Sequence, residues 1–137
     1  MAKDIREATV LVQEFLTAFE HDPSPELCRR LIREETTEVA QAAADLLKEF
    51  CDLIYVLEQA EIKGVPLEAL EPATLENISV LFSTYGRVFE DVQINEAFKR
   101  VHASNMSKLV DGKPLRREDG KVLKGPNYKA PDLLDII

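Results

Sequence analysis

The chain has little from which several familiar sites are built. Its two cysteines, Cys28 and Cys51, lack a CxxC spacing, so the sequence suggests neither a zinc site nor a disulfide framework. They are expected to be reduced thiols of a cytoplasmic protein. No apolar run approaches the ~20 residues that a bilayer span requires, and the N-terminal MAKDIREATVLVQEF lacks the layout of a signal peptide, so no membrane partner is expected. There is no GxxxxGK phosphate loop and no GxSxG nucleophile elbow. Neither His21 nor His102 has a Glu three residues before it, as a di-iron four-helix bundle would need. Basic residues are outnumbered, 17 Lys and Arg against 25 Asp and Glu, and the net charge of −8 argues against broad nucleic-acid binding.

What is present is an ordinary globular balance, 45% hydrophobic and 31% charged. With 137 residues the simplest organisation is one domain over 1–137, large enough to bury a core, with a tail from about 109 to 137. Charge is uneven along it. Residues 108–130 hold seven basic residues against three acids, a local +4 that leaves −12 on the rest.

Helical spacing dominates. An amphipathic helix is expected over residues 4 to about 20, with Ile5, Ala8, Val12, Phe15, Leu16 and Phe19 on one face. The Pro23 and Pro25 stretch breaks it, and Ser24 caps the next helix with Pro25 at its first position. That helix runs to about Ala43. Asp45 is a candidate cap for a further helix to about Ile62, although no glycine or proline marks a break there. Val65 to Pro72 reads as a connector with room for one helical turn. Thr74 is the expected cap of a helix over about 75–90, which Gly86 weakens, and a last helix covers about 93–108. Asp119-Gly120 signals a hairpin in the tail. The expected fold is all-α: an antiparallel bundle of four to five helices with an irregular or hairpin tail.

Two acidic groups interrupt apolar lines on the central helices. Glu35 and Glu38 follow Leu27 and Leu31 at steps of three or four, with Ala42 next; Glu49 lies between Leu46 and Leu53, with Asp52 three residues on. Most Glu runs on helices are solvated surface. Two acidic groups on apolar lines, with Arg33 and Lys48 expected to point away, instead ask for a cation between helices, since a buried carboxylate must be paired or bind metal. The helix break matters here. Two antiparallel helices would bring the groups together, whereas one continuous helix would leave them roughly 20 Å apart. Acids of this kind with a basic tail suit metal-dependent chemistry on a phosphate compound. Magnesium takes carboxylate oxygens and substrate phosphates, and it activates water.

Glu34-Glu35-Thr36-Thr37-Glu38, then Glu49-Phe50-Cys51-Asp52 extended by Leu53-Ile54-Tyr55-Val56, resembles the EExxE and ExxD signature of the MazG-like all-α nucleoside triphosphate pyrophosphohydrolases. The stretch VHASNMSKL (residues 101–109) and the tail DGKVLKGPNY (residues 119–128) look like a small bacterial and phage branch of that superfamily. The resemblance covers about residues 5–133. It implies Mg²⁺-dependent hydrolysis, with Mn²⁺ as a substitute, of a nucleoside or deoxynucleoside triphosphate to the monophosphate and pyrophosphate. By matching position, Glu35, Glu38, Glu49 and Asp52 would be metal ligands, and Glu34 would orient or deprotonate the attacking water. Asn105 and Lys108 would contact phosphate or sugar, joined by Lys124 and Tyr128 from the tail. Phe15 and Phe19 are candidates for base stacking, although aromatics at i and i+4 are more often core. A homodimer or homotetramer would follow from the same resemblance.

Two features depart from the pattern. Glu38 and Glu49 are separated by ten residues, fewer than is common there, so a turn between two helices would have to be tight. Where many relatives carry an Arg four residues after the Lys, this chain has Gly112, which leaves phosphate clamping to Arg100, Arg116 or Arg117. The alternatives are a non-catalytic helical module that binds nucleotide or protein, and a hydrolase of a related phosphoribosyl nucleotide.

Overall fold

Ser24 begins the longest element. Its Oγ accepts from the backbone N–H of Leu27 at 3.1 Å, Pro25 occupies the first helical position, and the helix then meets no breaker until Gly64. In the computed structural model, which describes residues 6–137, α2 therefore runs unbroken over Pro25–Ile62. No cap forms at Asp45, whose side chain instead accepts from Gln41 at 2.9 Å. One helix stands where two were allowed for. The Ala42-Ala43-Ala44 run explains this physically, alanine being the best helix former.

Four α-helices occur among the described residues, so the fold is all-α with an irregular tail. α1 spans Arg6–Ala18, α3 Pro72–Val88 and α4 Asp91–Met106. The expected residues 4 and 5 of the first helix, including Ile5, lie outside the described residues. A single 3-10 turn at Leu67–Ala69 fills the connector. α3 begins earlier than Thr74, with Glu71 at the N-cap and Pro72 inside the first turn, and Gly86 does not end it. α4 starts at a reciprocal capping box between Glu90 and Gln93. The Asp119-Gly120 turn forms as expected, joining β1 (Leu115–Arg116) to β2 (Val122–Leu123), with Leu115 opposite Leu123 and Arg116 opposite Val122. Gly120 has φ +89°, which only glycine adopts readily.

The chain divides into two compact units, one ending at Glu38 and one covering Val39–Ile137. In the first, Val12, Phe15 and Phe19 of the expected apolar face are exposed, with Phe15 and Phe19 in ring contact at 4.8 Å. The core lies in the second. Ala44, Leu47 and Cys51 of α2 pack with Phe89, with Ala97 and Val101 of α4, and with Leu133 of the tail. Phe50 meets Phe82 of α3 at 5.1 Å. Burial, with the charge of Asp52 adding to it, pushes the Cys51 thiol up to about 11, so it is un-ionised at neutral pH. Leu47 is fully buried. Leu47→Ala is expected to cost about 2–5 kcal/mol of stability, read as a shift in urea midpoint at unchanged slope; an unshifted midpoint would contradict this core assignment.

The buried stripe of α2 is thus not the acidic one. Leu46 and Val56 remain exposed, Val56 at 53%, and Glu49 keeps 71% of its side chain in solvent. At about 100° per residue, Glu49 sits about 200° round the helix from Leu47. Within one chain the expectation of inward-pointing acids is therefore corrected: Glu34, Glu35, Glu38 and Glu49 are all exposed, and Asp52 is half-buried.

Candidate functional site

The second unit encloses a cleft of about 640 Å³. Its wall on α2 is a helical face, Lys48, Asp52, Tyr55, Val56 and Gln59, at steps of three or four apart from adjacent Tyr55 and Val56. α4 contributes Val101, Ser104 and Asn105 from the same kind of stripe, and Lys108 follows just past the helix end. The tail supplies the opposite side through Arg116, Lys121, Val122, Lys124 and Tyr128.

Local chemistry explains how the tail reaches this place. Ser107 caps the end of α4, and its hydroxyl accepts from the Lys129 backbone N–H at 2.9 Å, stitching the far side of the tail to the helix end. Asp111 and Gly112, at φ +51° and +75°, form a tight turn closed by paired backbone bonds between Val110 and Lys113. Gly112 therefore stands where the backbone favours glycine. Gly125 passes so close to Lys108–Val110 that a Cβ there would lie 2.6 Å from Val110 Cγ2 and 3.0 Å from the Lys108 carbonyl. This close approach brings Lys124 and Tyr128 beside the end of α4, with the Lys124 ammonium 4.9 Å from the centre of the Tyr128 ring.

The far end of the tail is held by Arg100. Its guanidinium donates to both carboxylate oxygens of Asp135, at 2.6 and 3.0 Å, to the Asp132 carbonyl at 2.9 Å and to Glu96 at 3.1 Å. The Arg100 bond holds the Asp135 carboxyl below its ordinary value of 3.8. A carboxyl lowered in this way supports the docked tail at neutral pH and loses that support as pH falls through its depressed value. Ile136 methyl NMR signals are expected to shift toward flexible-chain positions on acidification below pH 3.8, and Asp135→Asn should reproduce the shift at neutral pH. Unchanged methyl signals in that variant would refute the anchoring role.

Lys48 corrects the sequence expectation most directly. It does not point away from the acids: its ammonium lies 2.9 Å from Asp52 Oδ2 and 3.4 Å from Glu49 Oε1. The hydrogen bond to Asp52 is the chief cause of its raised pKa, partly opposed by burial. Tyr55 and His102 were not anticipated from the sequence. Their side chains are hydrogen-bonded at 3.1 Å and stacked, and the Phe98 ring centre lies 5.7 Å from that of Tyr55. The signal available was positional, since Tyr55 follows Asp52 by three residues and His102 precedes Asn105 by three.

Of the expected site residues, the cleft brings together Asp52, Asn105, Lys108, Lys124 and Tyr128. Glu49 is adjacent through Lys48. Glu34, Glu35 and Glu38 are not among its lining; they lie on the first half of α2, where Glu34 pairs with Arg30 at 3.7 Å. Among the described residues, no three His, Cys, Asp or Glu side chains are grouped so as to hold a metal ion. The described helices include none long and apolar enough to cross a membrane. The chain matches no family model, no curated protein and no solved structure.

Proposed function

We propose that this chain is a Mg²⁺-dependent nucleotide pyrophosphohydrolase, converting a nucleoside or deoxynucleoside triphosphate to its monophosphate and pyrophosphate. One observation carries the reading. Four residues from separate stretches, Asn105, Lys108, Lys124 and Tyr128, meet in a cleft walled by Asp52 of the ExxD motif. The cleft holds five cationic side chains and one carboxylate, which suits a ligand with several negative charges. Lys108 and Lys124 supply point charges for phosphate, Asn105 hydrogen bonds for phosphate or sugar, and Tyr128 an aromatic surface.

The all-oxygen set Glu35, Glu38, Glu49 and Asp52 has the donor chemistry that Mg²⁺ or Mn²⁺ prefers. Such an ion would neutralise phosphate charge and lower the pKa of water. Glu34, a carboxylate outside that set, would accept the water's proton. Lys48 would have to exchange its bonds to Asp52 and Glu49 for bonds to phosphate.

Since α2 carries both motifs on one unbroken helix, the reading calls for a second copy. Two α2 helices running antiparallel about a two-fold axis at Ala43-Ala44 set Glu35 opposite the partner's Asp52 and Glu38 opposite the partner's Glu49. Leu31 then faces the partner's Val56, and both are exposed in the single chain. Ala42, exposed on the same face as Glu38 and Glu49, leaves room for close approach of the two helices there. The assembly is a homodimer, or a homotetramer of two such pairs. Free thiols suit a reducing, cytoplasmic setting.

A purely binding role is favoured by one observation, the Lys48 pairing that already satisfies Asp52. A melting-temperature screen with Mg²⁺ and each dNTP, NTP and dUTP tests the pocket. A triphosphate is expected to raise Tm in a concentration-dependent way. No shift with any of them would contradict the reading.

A further inference from the structure

Three arginines compete for the role of phosphate clamp, and their surroundings separate them. Arg100 is committed to Asp135, Glu96 and the Asp132 carbonyl. Arg117 is forked onto both carboxylate oxygens of Asp119, and that bond lowers the Asp119 pKa. Neither lines the cleft. Arg116 does, and its one described bond is to a neutral acceptor, the Gly120 carbonyl at 3.0 Å. Most of its N–H donors are uncommitted among the described contacts.

Strand geometry accounts for the difference. Arg116 lies in β1, whereas Arg117 lies just beyond it, where its backbone N–H donates to the Lys121 carbonyl at 2.8 Å and its guanidinium to Asp119 of the turn. Arg116 pairs in register with Val122, which also lines the cleft, while Arg117 stays with the turn. Lys121 and Lys124 stand on the same strand-and-exit segment and line the cleft with Arg116. Neither carboxylate of the hairpin, Glu118 or Asp119, lines the cleft, and Asp119 is bonded to Arg117.

We propose that the 115–123 hairpin is the polyphosphate-binding element of this protein, with Arg116 as the two-pronged clamp on the outer phosphates and Lys121 beside it. The guanidinium fork matches two phosphate oxygens at once, which an ammonium cannot do. Charge delivered there acts on the part of the ligand that departs as pyrophosphate. The inference rests on the pyrophosphohydrolase reading for the identity of its ligand.

The test uses the full chain with two probes, inorganic tripolyphosphate by titration calorimetry and the preferred triphosphate in steady-state kinetics. Arg116→Gln is expected to weaken tripolyphosphate and to raise KM, each on the order of 10- to 100-fold, with Arg116→Lys intermediate. Arg87→Gln, at an exposed arginine of α3 that does not line the cleft, and wild type should agree within about twofold. Unchanged tripolyphosphate affinity in Arg116→Gln, or an equal loss in Arg87→Gln, overturns the clamp while leaving the enzyme reading in place. Wild-type protein that binds neither probe overturns both.

Discussion

Glu38→Gln is expected to abolish pyrophosphate release, a loss on the order of 10²- to 10³-fold, with no change in helical content. Glu38 is exposed on α2 and has no described ion pair, so its carboxylate contributes little to folding. Glutamine has nearly the same helix propensity and shape. What it lacks is the negative oxygen that a hard cation requires. The same substitution should remove Mg²⁺-dependent stabilisation, measured as the Tm increment on adding the ion. Turnover retained in Glu38→Gln would remove the metal-ligand assignment from EExxE, whatever the cleft binds.

The second large effect concerns where the two motifs meet. If EExxE of one copy works with ExxD of its partner, Glu38→Gln and Glu49→Gln are each inactive alone but complement each other when mixed. A mixed dimer then has one site with both substitutions and one with neither. With random exchange of subunits, about a quarter of wild-type activity is expected in an equal mixture. A site contained within each chain gives no recovery, because every copy carries one defect. Activity after mixing under subunit exchange, with size-exclusion chromatography to verify that mixed dimers form, decides between these arrangements.

The sequence conveyed the class of the fold because apolar spacing, Ser24-Pro25 and Asp119-Gly120 act locally. Pro72 was an equally local signal, and a proline in the first helical turn explains why α3 starts before Thr74. The orientation of α2 was not legible. Ala44, Leu46, Leu47, Phe50, Cys51 and Leu53 leave apolar side chains on most sides of the helix, and only tertiary packing selects Ala44, Leu47 and Cys51 for the core. The absence of a break at Asp45 was legible in principle, since nothing between Ala42 and Asp45 disfavours helix. Lys48 and Asp52, four residues apart on a helix, likewise carried their pairing in their spacing.

The candidate site divided along the same line. Asn105, Lys108, Lys124 and Tyr128 could be singled out from their motifs, but their convergence depends on the close approach at Gly125 and on the Ser107 stitch. Those are contacts between the tail and the end of α4, which periodicity does not describe. Arg116 was one of three equivalent candidates until the hairpin register gave it a side.

The most direct test of the central claim is a pyrophosphate-release assay on the purified chain. It uses Mg²⁺ or Mn²⁺ over the standard dNTPs and NTPs, dUTP and a few damaged nucleotides, with Glu38→Gln alongside. The account predicts metal-dependent release of pyrophosphate and monophosphate in equal amounts from one or a few of these, and none from the variant. Release of orthophosphate instead, or no product from any nucleotide with either metal, would contradict it.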